Sequence, residues 1–208
     1  MSSLVLGVYL LGLPNNFGKI YLNETIVVLC FGIMALSRCG DAYSIDRLIW
    51  KSRQRSNLSV QRPRMSGEYT WPVRTVWLMF ALIFFAAGVA KLRLSGLEWI
   101  FSDHLAISLV EAPYHIHNVD PLVPWGLFLA QHVWLTRLLA AGTIILEVSY
   151  PVTLFSHRVR WVIVPSVFLM LVGIRLLLGP TFDHYLICHL FWVPCDRIRL
   201  WLIRDSRR

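Results

Sequence analysis

The stretch Ala86-Ala87-Gly88-Val89-Ala90-Lys91-Leu92-Arg93-Leu94-Ser95-Gly96-Leu97-Glu98-Trp99 decides how the rest of the chain is read. It closes a run, 75–90, that holds no charged residue and then ends abruptly in Lys91. About sixteen residues at 1.5 Å rise make roughly 24 Å of helix, and the flanking residues bring this close to the ~30 Å of a bilayer core. Gly88 and its alanine neighbours give that helix a thin face where a second backbone can approach. An ammonium therefore stands at the mouth of a membrane-length helix, followed by an acid and a tryptophan.

The composition points the same way. Of 208 residues, 56% are hydrophobic and 15% charged, with a mean hydropathy of +0.58. A soluble domain of this size cannot bury so much apolar surface. The fold class expected is all-α, a polytopic membrane helix bundle of about five to six spans plus an interfacial helix, forming a single domain over 1–208. No phosphate-cradling glycine loop and no zinc-type cysteine pair occurs. Cys30, Cys39, Cys188 and Cys195 stand singly, which speaks against a thioredoxin-like or quinone-coupled dithiol. Cys188 and Cys195 fall on one helix face, as small packing residues or, less simply, as a redox pair. Met1-Ser2-Ser3 lacks the basic start of a secretory signal, and 4–13 is too short to span well. Either this piece is a partial or tilted helix or the N-terminal-most portion of the domain is missing; the second is the expectation.

Taken in order, segment 4–13 ends at Pro14-Asn15-Asn16, and a second runs over 20–36. Residues 37–74 form a loop rich in Arg and Lys, and the third segment is 75–92. The piece 97–110 reads as amphipathic or re-entrant, lying at the interface. After 122–131 come a segment over 133–155, another over 161–178 that tolerates Pro165, and a short last one over 182–194. A basic tail follows. If loop 37–74 is cytoplasmic, alternation puts the 157–160 turn and the C-terminus on the same side, where fifteen Lys and Arg collect against Lys19, Lys91 and Arg93 outside. This bias accounts for the net charge of +8, since basic residues near anionic headgroups gain about 1 kcal/mol each. No aromatic interleaving supports nucleic-acid binding, so the expected partner is the lipid bilayer. Lys91 then lies at the outer end of its helix.

Two charged residues could carry chemistry. Lys91 reads most simply as a lysine snorkelling from a helix end; the sharper reading is a partly desolvated amine usable as a base. Such a base needs Glu98 to point elsewhere and Glu147 to be protonated or several ångströms away. Glu147 sits mid-span in Thr143-Ile144-Ile145-Leu146-Glu147-Val148-Ser149-Tyr150-Pro151. An acid there costs several kcal/mol unless neutral or paired, and is a functional hypothesis by default; Arg175, also within a span, is its expected structural partner. Arg137 reads as interfacial. His104, His115, His117, His132, His184 and His189 show no HxxxH or HxxEH spacing, so no metal site is assigned. Asn23-Glu24-Thr25 fits a glycosylation sequon, a cheap motif and close to a helix.

Ala87-Gly88-Val89-Ala90-Lys91-Leu92 followed by Trp99 resembles the membrane domain of the vitamin K-dependent gamma-carboxylase superfamily, also called the HTTM family. Other pieces agree in order: Gly40-Asp41 with Ser44-Ile45-Asp46, Glu68-Tyr69-Thr70-Trp71-Pro72, Leu146-Glu147 with Tyr150-Pro151, and Phe191-Trp192-Val193-Pro194. The resemblance runs over 15–199. It implies that Lys91 is the base that deprotonates reduced vitamin K or another quinol, the route by which a carboxylase makes a carbanion on peptidyl glutamate. The chain departs from the pattern in reading Phe168-Leu169-Met170-Leu171-Val172-Gly173-Ile174 where similar bacterial chains carry a His, and in holding no large extracytoplasmic domain. What the resemblance implies is then a smaller carboxylase-like lyase or oxidoreductase acting on a quinone-like lipid.

Two readings follow. In one, a membrane enzyme uses Lys91 as base and Glu147 to orient or relay a proton, with an apolar cofactor entering from lipid. In the other, a non-catalytic membrane binding or accessory protein uses Lys91 as an anchor and Glu147 to fix helix packing. A shared apolar cavity lined by both residues favours the first. The topology is tested with cysteines placed at Ser56 and Ser206 in intact cells: an impermeant thiol reagent is expected to leave both unlabelled, and labelling at either site overturns the orientation.

Overall fold

The structure, a computed structural model, describes residues 5–7, 9, 22–37, 67–114, 121–180 and 182–193. Every element among them is helical. Most of the basic loop, the C-terminal tail, nearly all of segment 4–13, and His115, His117, Cys39 and Cys195 lie outside the described residues. Backbone contacts divide the chain into two units, Met1–Val76 and Trp77–Arg208.

In the first unit, α1 (Leu22–Ala35) answers the predicted second segment and buries Ile26 and Cys30, one turn apart. The sequon lies on this helix. The long helix α2 (Gly67–Ser95) begins here and runs on into the second unit. It starts well before position 75, where the sequence reading ended the basic loop. Pro72 and Arg74 read as loop residues, yet both lie inside the helix; Pro72 is past the first turn and removes one bond of the ladder there. Local hydroxyls add bonds there: Thr70 Oγ1 donates to the Gly67 carbonyl at 3.2 Å and Thr75 Oγ1 to that of Trp71 at 2.9 Å. At the other end Gly96 takes φ +58°, and its N–H donates to the Leu92 carbonyl at 2.9 Å. This left-handed residue stops the helix and turns the chain back.

The second unit continues with α3 (Glu98–Phe101) and α4 (His104–Glu111), then a 3₁₀ turn at Ala112–Tyr114. The single interfacial piece expected over 97–110 is thus two short helices, separated at Ser102-Asp103. Next come α5 (Trp125–Ala130), α6 (Val133–Ser149), α7 (Val152–Phe155), α8 (His157–Leu177) and α9 (Asp183–Cys188), which runs into a 3₁₀ helix at His189–Trp192. The expected segment over 133–155 is broken at Tyr150-Pro151, where proline cannot donate to the ladder. Ser156 caps α8, its Oγ accepting from the Val159 N–H. α8 packs against α6 and α7, and α3, α4 and α5 each pack against α6.

Two of the described helices are long and apolar enough to cross a membrane, Tyr69–Ser95 and His157–Leu177. Only 28% and 22% of their most apolar windows are buried, so they differ from the core helices of a soluble protein, whose apolar surface is covered. The other predicted spans correspond to shorter helices; α6, at 17 residues, falls just below spanning length.

An aromatic cluster makes the centre of the second unit. Phe84 stands 4.7 Å from Tyr150 and 6.2 Å from Tyr185 between ring centroids, and Phe80 meets His189 edge-on at 5.2 Å. Trp77 and Trp192 stack at 4.7 Å, and the Arg160 guanidinium lies 4.3 Å from the first ring and 5.1 Å from the second. Arg160 Nε also donates to the Thr153 carbonyl at 3.0 Å, and Trp77 Nε1 to that of Phe191 at 3.0 Å.

α2 meets α6 at Gly88. A Cβ there would lie 2.9 Å from Val148 Cγ2, 3.0 Å from Glu147 Cβ and 3.2 Å from the Val148 backbone nitrogen. Because one neighbour is backbone, a methyl cannot be absorbed by a side-chain rotation. Gly88→Ala is expected to cost about 1–3 kcal/mol, the usual range for overpacking. Gly142→Ala, with nothing within 4 Å, is expected to stabilise by up to about 1 kcal/mol, since alanine favours a helix interior. Unfolding in detergent micelles compares the two; equal stabilities would mean the helices do not approach as closely as described.

Candidate functional site

Gly88 and Lys91 share a face of α2, three residues apart, so the close approach at Gly88 also delivers Lys91 to α6. There Lys91 Nζ donates to Glu147 Oε1 in a salt bridge. The glutamate side chain is 6% exposed and the lysine 24%, so the carboxylate is the interior partner and the ammonium the one nearer solvent. Glu147 Oε2 is buried and accepts no hydrogen bond. On the other side of the turn made by Gly96, the Trp99 ring centroid lies 5.6 Å from Lys91 Nζ, and His104 leans on Trp99 with centroids 4.9 Å apart.

These four residues line a cavity of about 350 Å³, within the range of small-molecule pockets, about 300–1,000 Å³. The remaining walls are mainly apolar: Ile83, Phe84 and Ala87 from α2, Leu105 from α4, Ala140 from α6, Met170, Leu171 and Ile174 from α8, then Leu178, Phe182 and Tyr185. Ser108 and Thr143 also face it, but their hydroxyls donate to the His104 and Leu139 carbonyls, both at 3.0 Å. The ion pair is the charged feature offered to an occupant, with His104 and Tyr185 further polar side chains on the lining. Holding either charge alone against such a wall costs several kcal/mol; together they offset much of it.

One expectation is corrected here and a second is narrowed. The partner of Glu147 is Lys91, not Arg175, whose Nη1 donates to the Gly179 carbonyl at 2.6 Å. The helix crossing, not the presence of a second charge in a span, selects the partner. Of the two arrangements a lysine base allows for Glu147, protonated or several ångströms away, the second does not occur. An apolar wall does not hold an ammonium without a counter-charge, and this carboxylate supplies it. Glu98 is exposed and takes no part in the Lys91–Glu147 pair.

The other flagged residues disperse. Arg137 Nη2 approaches Asp103 Oδ1 at 3.8 Å in a largely exposed pair that contributes little. His132 Nδ1 lies 3.0 Å from the Phe128 carbonyl. His189 is buried, its Nδ1 donating to the Tyr185 carbonyl at 2.7 Å while Nε2 has no partner. Among the described residues no three His, Cys, Asp or Glu converge. Tyr150 and Trp192 carry buried polar atoms without a well-aligned partner in the aromatic cluster around Phe84. The sequence reading quoted Tyr150 only within the motif of Glu147, with no role of its own, and passed over Tyr185. Tyr150 follows Glu147 by three residues and shares its face, a spacing that could have flagged it; nothing in the sequence singles out Tyr185.

The chain matches no family model, no curated protein and no solved structure.

A double-mutant cycle measures what the pair contributes. Glu147→Ala leaves a cation on the apolar wall and is expected to lower stability by about 2–4 kcal/mol, somewhat under the range for fully buried pairs because Lys91 keeps some solvent. Adding Lys91→Met to that background is expected to restore at least half of the loss. If the two substitutions are additive in chemical unfolding, the residues are not coupled.

Proposed function

We propose that the chain is an integral membrane protein that takes a lipid-soluble, hydroxyl-bearing molecule into the cavity and moves a proton on it with the Lys91–Glu147 pair. The observation that carries this reading is that both residues line one apolar-walled cavity. The resemblance to the gamma-carboxylase superfamily suggests a quinol such as reduced vitamin K, and two features suit such a group. The walls are aromatic and aliphatic, and Glu147 Oε2 is buried with a lone pair unused.

The residues divide the work. Lys91 passes a proton to Glu147 and takes one from the bound hydroxyl, so Glu147 becomes the net acceptor and Lys91 ends positively charged, as it began. The charge that leaves the carboxylate appears on the bound oxygen, beside the ammonium that stabilises it. No net charge is created in the apolar cavity, which is what makes the transfer feasible there. A lone neutral lysine, by contrast, would create two charges where there were none. The five to six spans, the cytoplasmic basic loop and C-terminus, and the outer position of Lys91 belong to this reading, supported by the distribution of Lys and Arg.

A second reading is favoured by the close approach at Gly88. There the pair serves as a staple that fixes α2 on α6 in a non-catalytic membrane binding or accessory protein. Substitution at Lys91 separates the two. Lys91→Arg keeps the charge but cannot relay a proton, because guanidinium stays protonated; Lys91→Met removes the charge and keeps the length. Lipid-soluble molecules that copurify with the wild type, identified by mass spectrometry, supply the assay. Both variants are expected to lose at least about 100-fold in turnover of that molecule, the scale of a lost acid–base group; Lys91→Arg inserts normally, while Lys91→Met, which strands the Glu147 carboxylate, is less stable and is compared per inserted molecule. A fully active Lys91→Arg protein would leave only the staple.

A further inference from the structure

We propose that Trp99 is a positioning residue whose indole covers the outward side of the Lys91–Glu147 pair and keeps water off it. This rests on the reading of the pair as the working group of the cavity. It also has a structural consequence of its own.

The backbone places the ring there by design of the turn. Gly96 adopts φ +58° and reverses the chain directly after α2, so α3 returns toward the helix it has left. α3 then packs against α6, the helix that carries Glu147. Trp99 is half-buried on α3, lines the cavity and stands 5.6 Å from the ammonium, while the preceding Glu98 is exposed. His104, from the next helix, braces the ring at 4.9 Å.

An aromatic ring suits this position for two reasons. Its face attracts the ammonium without bringing a second counter-charge that would compete with Glu147. Its area excludes water, and a pair that exchanges protons with a bound molecule must not exchange them freely with solvent. An aliphatic side chain would satisfy only the second condition and a carboxylate neither.

The chain has three lysines, Lys19, Lys51 and Lys91, so modification at Lys91 can be read on its own peptide. The experiment uses the full chain in lipid nanodiscs, open to reagent on both faces, with a water-soluble sulfosuccinimidyl ester as probe. Trp99→Ala is expected to raise the acylation rate of Lys91 by about fivefold or more, while Trp99→Phe, which keeps a ring, stays within about twofold of wild type. The buried Cys188 thiol, probed in parallel with iodoacetamide and read on its own peptide, reports folding and is expected to remain unreactive. Three results would each overturn the proposal: an unchanged Lys91 rate in Trp99→Ala, a rise equal in the Ala and Phe variants, or a rise that occurs only in step with Cys188. An active Lys91→Arg protein would remove the proton-transfer reading while leaving the acylation result intact, so the two ideas fail separately.

Discussion

An ammonium and a carboxylate held together on an apolar wall set the terms for the second unit. Neither charge is affordable there without the other, so the contact fixes where along α2 and α6 the two helices must meet. Gly88 is the steric counterpart of that electrostatic demand. A side chain on it would push α6 outward and draw Glu147 from reach of Lys91. Register, separation and charge pairing are therefore one constraint expressed three ways. The short helices α3 and α4 and the face of α8 complete an enclosure around it.

Lys91 and Glu147 were each legible in the sequence, because a charge that interrupts or follows a long apolar run is conspicuous. Their union was not. They are 56 positions apart, and no spacing rule ties a residue on one helix to a residue on another. Arg175 was as plausible a partner on charge alone, and only the crossing point excludes it. The helical class and the two longest helices followed from hydropathy. Their limits did not: Pro72 and Arg74 read as loop yet lie inside α2, while Pro151 divides what the apolar pattern drew as one segment. Proline reports a missing donor, and whether that ends a helix depends on what else holds the neighbouring carbonyls.

The cavity walls show a further limit of pattern reading. Phe84, Tyr185 and the Met170–Ile174 side of α8 look like ordinary apolar helix residues in sequence. In a chain this hydrophobic, residues facing lipid, core and cavity are drawn from one alphabet. Only the arrangement of helices separates them, so polar exceptions such as Lys91 and Glu147 are the natural landmarks.

The stack of Trp77, Arg160 and Trp192 gives the unit a mechanical asymmetry. It ties α2, α8 and the last 3₁₀ helix together near the start of α8, with flat rings and a guanidinium that resist sliding. Near the end of α2 no comparable clamp joins the same helices among the described contacts, and the chain there consists of short helices linked by bends. The clamp therefore fixes these elements at the Arg160 end, apart from the residues that line the cavity.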